Sequence, residues 1–157
     1  MAVDDSGGIS KSGSMPWPKN KNDLEWFRQN TIKHVVIMGS KTWLDPKMPT
    51  PLSNRVNVII TSQNKNLFPG ADEYIQDSLI FNIKNLDKKY KMYEKWIIGG
   101  AKIIEQLFEI IDIFYLTRIY GNFNCDKRID IEKIEKIMNL EKKILCDDTC
   151  HFEIWKK

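Results

Sequence analysis

The sequence has little of what several common chemistries require. It contains two histidines, His34 and His151, and three cysteines, Cys125, Cys146 and Cys150, with no C-x-x-C pair. That leaves too few ligands for a histidine-based zinc site and an odd count for a disulfide framework. No metal is expected, and a reducing compartment is. G-x-G-x-x-G, G-x-x-x-x-G-K-[ST] and G-x-S-x-G are all missing, so the common nucleotide cradles and the hydrolase elbow lack their signatures. The most apolar stretch, residues 96–120, carries Lys102, Glu105, Glu109, Asp112 and Arg118, which excludes a bilayer span. Asp4 and Asp5 follow Met1 too closely for a secretory signal. Glycine and proline are sparse, at 8 and 6 residues, and no repeat or low-complexity linker interrupts the chain.

What is present suits one packed domain over residues 1–157: 42% hydrophobic residues, including five Trp, five Tyr and seven Phe, is rich enough for a core and too rich for disorder. The net charge of +3 is mild. Lysines such as Lys88, Lys89, Lys133, Lys136, Lys142 and Lys143 are interleaved with Asp87, Glu132, Glu135 and Glu141. Such mixing marks a solvated face rather than a nucleic-acid stripe.

Short apolar runs at residues 35–38, 58–60 and 96–98, the first and last followed by glycine, predict strands buried on both faces. Between them lie helical spacings: Leu24 and Phe27 after a possible cap at Asn22; Leu79, Ile83, Leu86 and Tyr90 after a possible cap at Ser78; and Ile103, Ile104, Leu107, Phe108 and Ile111. The alternation implies βαβ units. Alternating residues 113–120, then 142–146 and 151–155 around Asp147-Asp148, predict further strands ending in an antiparallel hairpin. Residues 6–22 read as a long loop of the kind that is either functional or disordered.

Two strand-to-helix junctions, Ile98-Gly99-Gly100-Ala101 and Gly39-Ser40-Lys41-Thr42, have the bare backbone that a phosphate or ribose approaches, although on these residues alone a tight strand-to-helix turn is the better account of each. Asp23, at a helix start among Leu24, Trp26 and Phe27, reads either as a first-turn dipole partner or as a carboxylate kept in apolar surroundings for a ligand.

Met15-Pro16-Trp17, Asp23-Leu24-x-Trp26-Phe27, Val36-Ile37-Met38-Gly39-x-x-Thr42-Trp43, Ile97-Ile98-Gly99-Gly100 and Tyr115-Leu116-Thr117, taken in order, resemble dihydrofolate reductase over nearly the whole chain. The resemblance implies an α/β fold: a central twisted, mostly parallel eight-stranded sheet with a shortened first strand, an antiparallel C-terminal hairpin and about four helices. It implies NADPH-dependent reduction of 7,8-dihydrofolate to tetrahydrofolate, supplying one-carbon carriers for thymidylate and purine synthesis, in a cytoplasmic monomer open to antifolate inhibitors. By the same matching Asp23 binds the pterin, supported by Thr117 and by a water held at Trp17. Leu24, Phe27, Leu52 and Ile98 pack against the substrate, and Arg55 takes its glutamate carboxylate. For the cofactor the resemblance marks Ile9, Gly13, Ser14 and Met15 in the first loop; Gly39, Ser40, Lys41 and Thr42; Ser62 and Gln63; and Ile98, Gly99, Gly100, Ala101, Lys102 and Ile103. Ser40 stands where the family usually has a phosphate-gripping arginine, Ile104 where tyrosine is common, and Ser10 where glycine is frequent. Two other readings use the same residues: an inactive relative that keeps folate or nucleotide affinity, and an RNA-binding accessory protein that uses the lysine-rich face.

Overall fold

The computed structural model describes residues 1–157, which cluster into two compact units. One comprises Arg28–Leu107 and the other Met1–Phe27 with Phe108–Lys157.

The Arg28–Leu107 unit is built on a parallel sheet. Strand β3 (Val35–Gly39) pairs with β4 (Val56–Ile60) on one side and β6 (Lys95–Gly99) on the other, and β5 (Glu73–Ile75) extends the β4 edge. All five residues of β3 are buried, as its unbroken apolar run predicts for a central parallel strand. Helices α2 (Ser40–Trp43), α3 (Leu79–Lys89) and α4 (Ala101–Leu107) follow β3, β5 and β6. Helix α3 buries Ile83 and Leu86, three residues apart on one face. Ser78 occupies its cap position in a left-handed conformation, φ 44°, and makes no side-chain cap hydrogen bond.

In the other unit β1 (Ala2–Val3) lies parallel to β7 (Ile113–Ile119), which pairs antiparallel with β10 (Cys150–Lys156), and β9 (Asn139–Leu145) completes the C-terminal hairpin at the edge. A two-stranded ribbon joins β2 (Gly8–Ser10) to β8 (Lys127–Arg128). Helix α1 (Lys21–Thr31) begins in this unit and α5 (Ile131–Ile137) lies wholly within it.

The α/β class, the parallel sheet and the antiparallel hairpin are as expected, with two refinements. The eight principal strands are hydrogen-bonded as two sets of four, and the two-residue β1 pairs with β7 alone. There are five α-helices: α5 is hidden in the Lys/Glu run, where Ile131, Ile134 and Ile137 recur at helical spacing and Asp130 caps the start by accepting from the Lys133 amide. No helix is long and apolar enough to cross a membrane.

Candidate functional site

Helix α1 is started by Asn20 rather than Asn22: Asn20 Oδ1 accepts from the Asp23 amide at 3.0 Å, and Asn22 falls inside the helix. This fixes half-buried Asp23 in the first turn, where the helix dipole favours a carboxylate. The Met1 nitrogen donates to the Tyr115 carbonyl at 2.7 Å, while the Met1 carbonyl accepts from the Thr117 amide at 2.8 Å. Burial lowers the pKa of the Met1 amine and the nearby Asp23 carboxylate opposes that shift. Met1 thus lies between Asp23 and the 115–117 stretch of β7, where Thr117 is buried. Trp17 is buried with Ile119, Cys125, Cys150 and Phe152 and meets Phe123 edge-on at 5.7 Å. Trp26 stacks on Phe152 at 4.5 Å and 7°. Leu24 is exposed and Phe27 half-buried.

The loop that carries Ile9, Gly13, Ser14 and Met15 is held at two places. At its base Asp4 accepts from the Ser6 and Gly8 amides, the Ser6 hydroxyl and the Phe123 amide, at 2.7 to 3.1 Å. Burial raises the Asp4 pKa, but these donors outweigh it and hold the carboxyl at about 2. Farther along, the Ser12 amide donates to Asp126 at 2.8 Å and Lys11 pairs with Ser14. Gly13 stands at φ 87° with open space where a Cβ would be.

In the Arg28–Leu107 unit the carboxyl ends of β3 and β6 meet, Met38 opposite Gly99. A Cβ on Gly39 would lie 3.2 Å from Ile103 Cγ1, and those on Gly99 and Gly100 would lie 3.4 and 3.6 Å from the Thr42 hydroxyl. Gly99, at φ 134°, takes a conformation that side chains disfavour, and the Gly99–Gly100 peptide is cis. Ser62 and Gln63 follow the carboxyl end of β4, with the Gln63 amide donating to Thr61 Oγ1 at 3.1 Å. Lys41 and Lys102 are exposed, Ser40, Ala101 and Ile98 half-buried. Ligands of open α/β sheets bind at such strand ends.

Leu52 and Arg55 sit at the other end of β4. Asn57 staples their turn: Oδ1 accepts from the Leu52 amide at 2.8 Å, and Nδ2 donates to the Leu52 and Arg55 carbonyls at 3.0 and 3.1 Å. Arg55 donates through Nε to Thr31 at 2.8 Å and through NH1 to the Ser53 carbonyl at 3.0 Å. Its pKa is lowered by burial and by the neighbouring Arg28 guanidinium, so two cations converge here.

Sequence reasoning missed Asn20, Arg28, Asn57 and a shallow cleft of about 430 Å³ lined by Ser78, Leu79, Ile80, Phe81 and Gln106. The Asn20-x-x-Asp23 spacing was a readable cap signal, and Asn57 an unexplained amide within an apolar strand. The cleft had no local signal, because α3 and α4 build it together. On the lysine-bearing surface Lys95 pairs with Asp87, Lys89 with Glu73, Lys136 with Glu132 and Lys156 with Glu141.

Comparison with known proteins gives the family and the fold neighbours. The sequence model of a family described as "Dihydrofolate reductase" matches residues 1–149. The chain is 34% identical over 139 residues to the dihydrofolate reductase of Gallus gallus, covering 80% of this chain and 73% of that one. It is 33% identical over 134 residues to that of Mycoplasma pneumoniae, covering 83% and 81%. The solved dihydrofolate reductase from Enterococcus faecalis, complexed with NADP(H) and RAB-propyl, superposes with a TM-score of 0.80 at 25% identity, over 99% of this chain and 92% of that one.

Proposed function

The chain belongs to the dihydrofolate reductase family, and from that membership and the geometry above we propose the residue roles by which it reduces 7,8-dihydrofolate to tetrahydrofolate with NADPH. The observation that carries the proposal is the bare backbone at the carboxyl ends of β3 and β6, where Gly39, Gly99 and Gly100 leave room that side chains would fill beside Thr42 and Ile103. That room fits a nucleotide cofactor, with Ser40, Lys41, Ala101, Lys102, Ser62 and Gln63 as polar and backbone contacts. The shallow cleft lined by Ser78, Leu79, Ile80, Phe81 and Gln106 belongs to the same unit as these glycines. NADPH, when bound, supplies the hydride.

The protein's own part is binding, orientation and exclusion of water. Asp23, fixed by Asn20, accepts the paired N–H donors of the pterin, and this charge favours protonation of the ring nitrogen that receives a proton. Thr117 and Trp17 position that carboxylate and its water. Leu24, Phe27, Leu52 and Ile98 pack on the rings. Arg55 holds the tail carboxylate through its planar fork, for which its hydrogen bonds to Thr31 and Ser53 pre-set the direction. Ile9, Gly13, Ser14 and Met15 belong to a loop that covers the reacting groups. The chain acts as a single cytoplasmic domain and a monomer, open to antifolates. Absorbance of NADPH in the presence of dihydrofolate tests this: oxidation that a pterin-site inhibitor abolishes supports it, and no oxidation sinks it.

A further inference from the structure

Cys146 and Cys150 stand at the two ends of the β9–β10 turn. The hairpin register sets Ile144 against Phe152 and Leu145 against His151, so the next rung sets Cys146 against Cys150. Residues directly opposite in an antiparallel pair have Cα atoms about 4.5 or 5.5 Å apart, within the roughly 4.4–6.8 Å range of disulfides. The sulfurs agree with the backbone: both thiols are free, Sγ to Sγ is 3.0 Å, and the Cys146 thiol donates to the Cys150 carbonyl at 3.0 Å. Cys125 belongs to a separate contact, 3.5 Å from Asp4.

The turn also reaches α1. Asp147 accepts from Asn22 Nδ2 at 2.6 Å, and Thr149 Oγ1 accepts from Asn20 Nδ2 at 2.8 Å. The Cys150 thiol donates to Asn20 Oδ1 at 3.8 Å, the same oxygen that accepts from the Asp23 amide. Cys150 and Asp23 thus share one acceptor.

We propose that Cys146 and Cys150 form a thiol–disulfide exchange site that closes across the β9–β10 turn when a low-molecular-weight disulfide is present, and that closure tightens the start of α1 through Asn20. Half-buried Cys146 is the entering sulfur. Its thiolate attacks one sulfur of the reagent, forming a mixed disulfide and releasing one small thiol, and Cys150 then displaces the second. Two protein S–H bonds and the reagent's S–S bond are consumed; one protein S–S bond and two small thiols result, so the cysteines are oxidised and the reagent reduced. Cys150 is fully buried, and burial with the Cys146 contact pushes its thiol up to about 12, which keeps it from meeting the reagent first; its sulfur, 3.0 Å from that of Cys146, reacts only in the second, intramolecular step. Once oxidised, Cys150 no longer donates to Asn20, leaving that oxygen to the Asp23 amide.

Any consequence for substrate binding rests on the role proposed for Asp23; the readouts here need no activity, so the two failures are separable. The full chain is incubated with oxidised glutathione, its thiols are counted, the linkage is mapped by mass spectrometry, and hydrogen exchange is followed at the Asp23 and Leu24 amides. Titratable thiols should fall from three to Cys125 alone, with an intramolecular 146–150 link, and exchange at both amides should slow severalfold. Dithiothreitol should reverse both changes, Cys146→Ser should prevent them, and Cys125→Ser should leave them intact. Persistence of all three thiols, arrest at the glutathione adduct, linkage through Cys125, or unchanged exchange after closure would each overturn the proposal.

Discussion

Asp4 and Gly8 close on each other so tightly that neither position has a spare atom: Asp4 Oδ1 accepts from the Gly8 amide at 2.8 Å, and a Cβ on Gly8 would lie 2.9 Å from that same oxygen. Cys125 crowds the other side, its Cβ 2.5 Å and its Sγ 2.6 Å from that added carbon. The base of the first loop is therefore set by a buried charge and an absent side chain.

Stability should depend on Asp4 in a defined window. Its folded pKa of about 2 lies below the ordinary 3.8, so the linked stability is full above pH 4, roughly, and is lost as pH falls through about 2, amounting to about 2 kcal/mol. Urea unfolding of the wild type and Asp4→Asn should differ by about that much at pH 6 and converge near pH 2. A difference that stays constant across that range would mean that shape, not charge, is what Asp4 contributes.

Replacing Asp23 by Asn keeps the shape and removes the charge. kcat/KM for dihydrofolate should fall by about two orders of magnitude at neutral pH and recover in part toward acid, where the substrate arrives protonated. A flat, undiminished pH profile would remove Asp23 from the reaction.

Arg55→Lys exchanges a planar fork for a point charge and abandons the Nε contact to Thr31. The KM for dihydrofolate should rise while a pterin substrate without a glutamate tail is spared. Steady-state kinetics with both substrates decide it, since equal damage to both would make Arg55 a structural residue.

On the cofactor side, Ser40 brings no positive charge to the start of α2, and exposed Lys41 is the adjacent cation. Because a hydrogen bond to a charged group is worth about 1.5 to 3 kcal/mol, Lys41→Ala should remove most of the preference for NADPH over NADH and Ser40→Arg should widen it. The ratio of kcat/KM for the two cofactors measures this. If Lys41→Ala leaves the preference intact, Lys65 and Lys102 are the next cations to replace.

Much of the fold was legible because its signals are local. The buried run of β3 and the glycines after β3 and β6 act within a few residues. So do the alternation in β7 and the turn that joins β9 to β10. Helix α5 is masked in the sequence because its charged residues resemble a solvated run, and Asn22 competes with Asn20 as a cap because the two amides stand close together. Arg28 joined Arg55 only once the chain had folded, since 27 positions separate them.

By itself the sequence determined the α/β class, the family and the identity of the candidate carboxylate, cations and glycines, all of which depend on residue type and short spacing. Tertiary structure alone decided the partners: Asp4 with Phe123 and Cys125, Ser12 with Asp126, Cys150 with Asn20, and Gly99 beside Thr42. The physical reason is range. Periodicity and turn chemistry act over a few residues, whereas a buried carboxylate is charged, and two thiols meet, only where strand register brings distant backbone together.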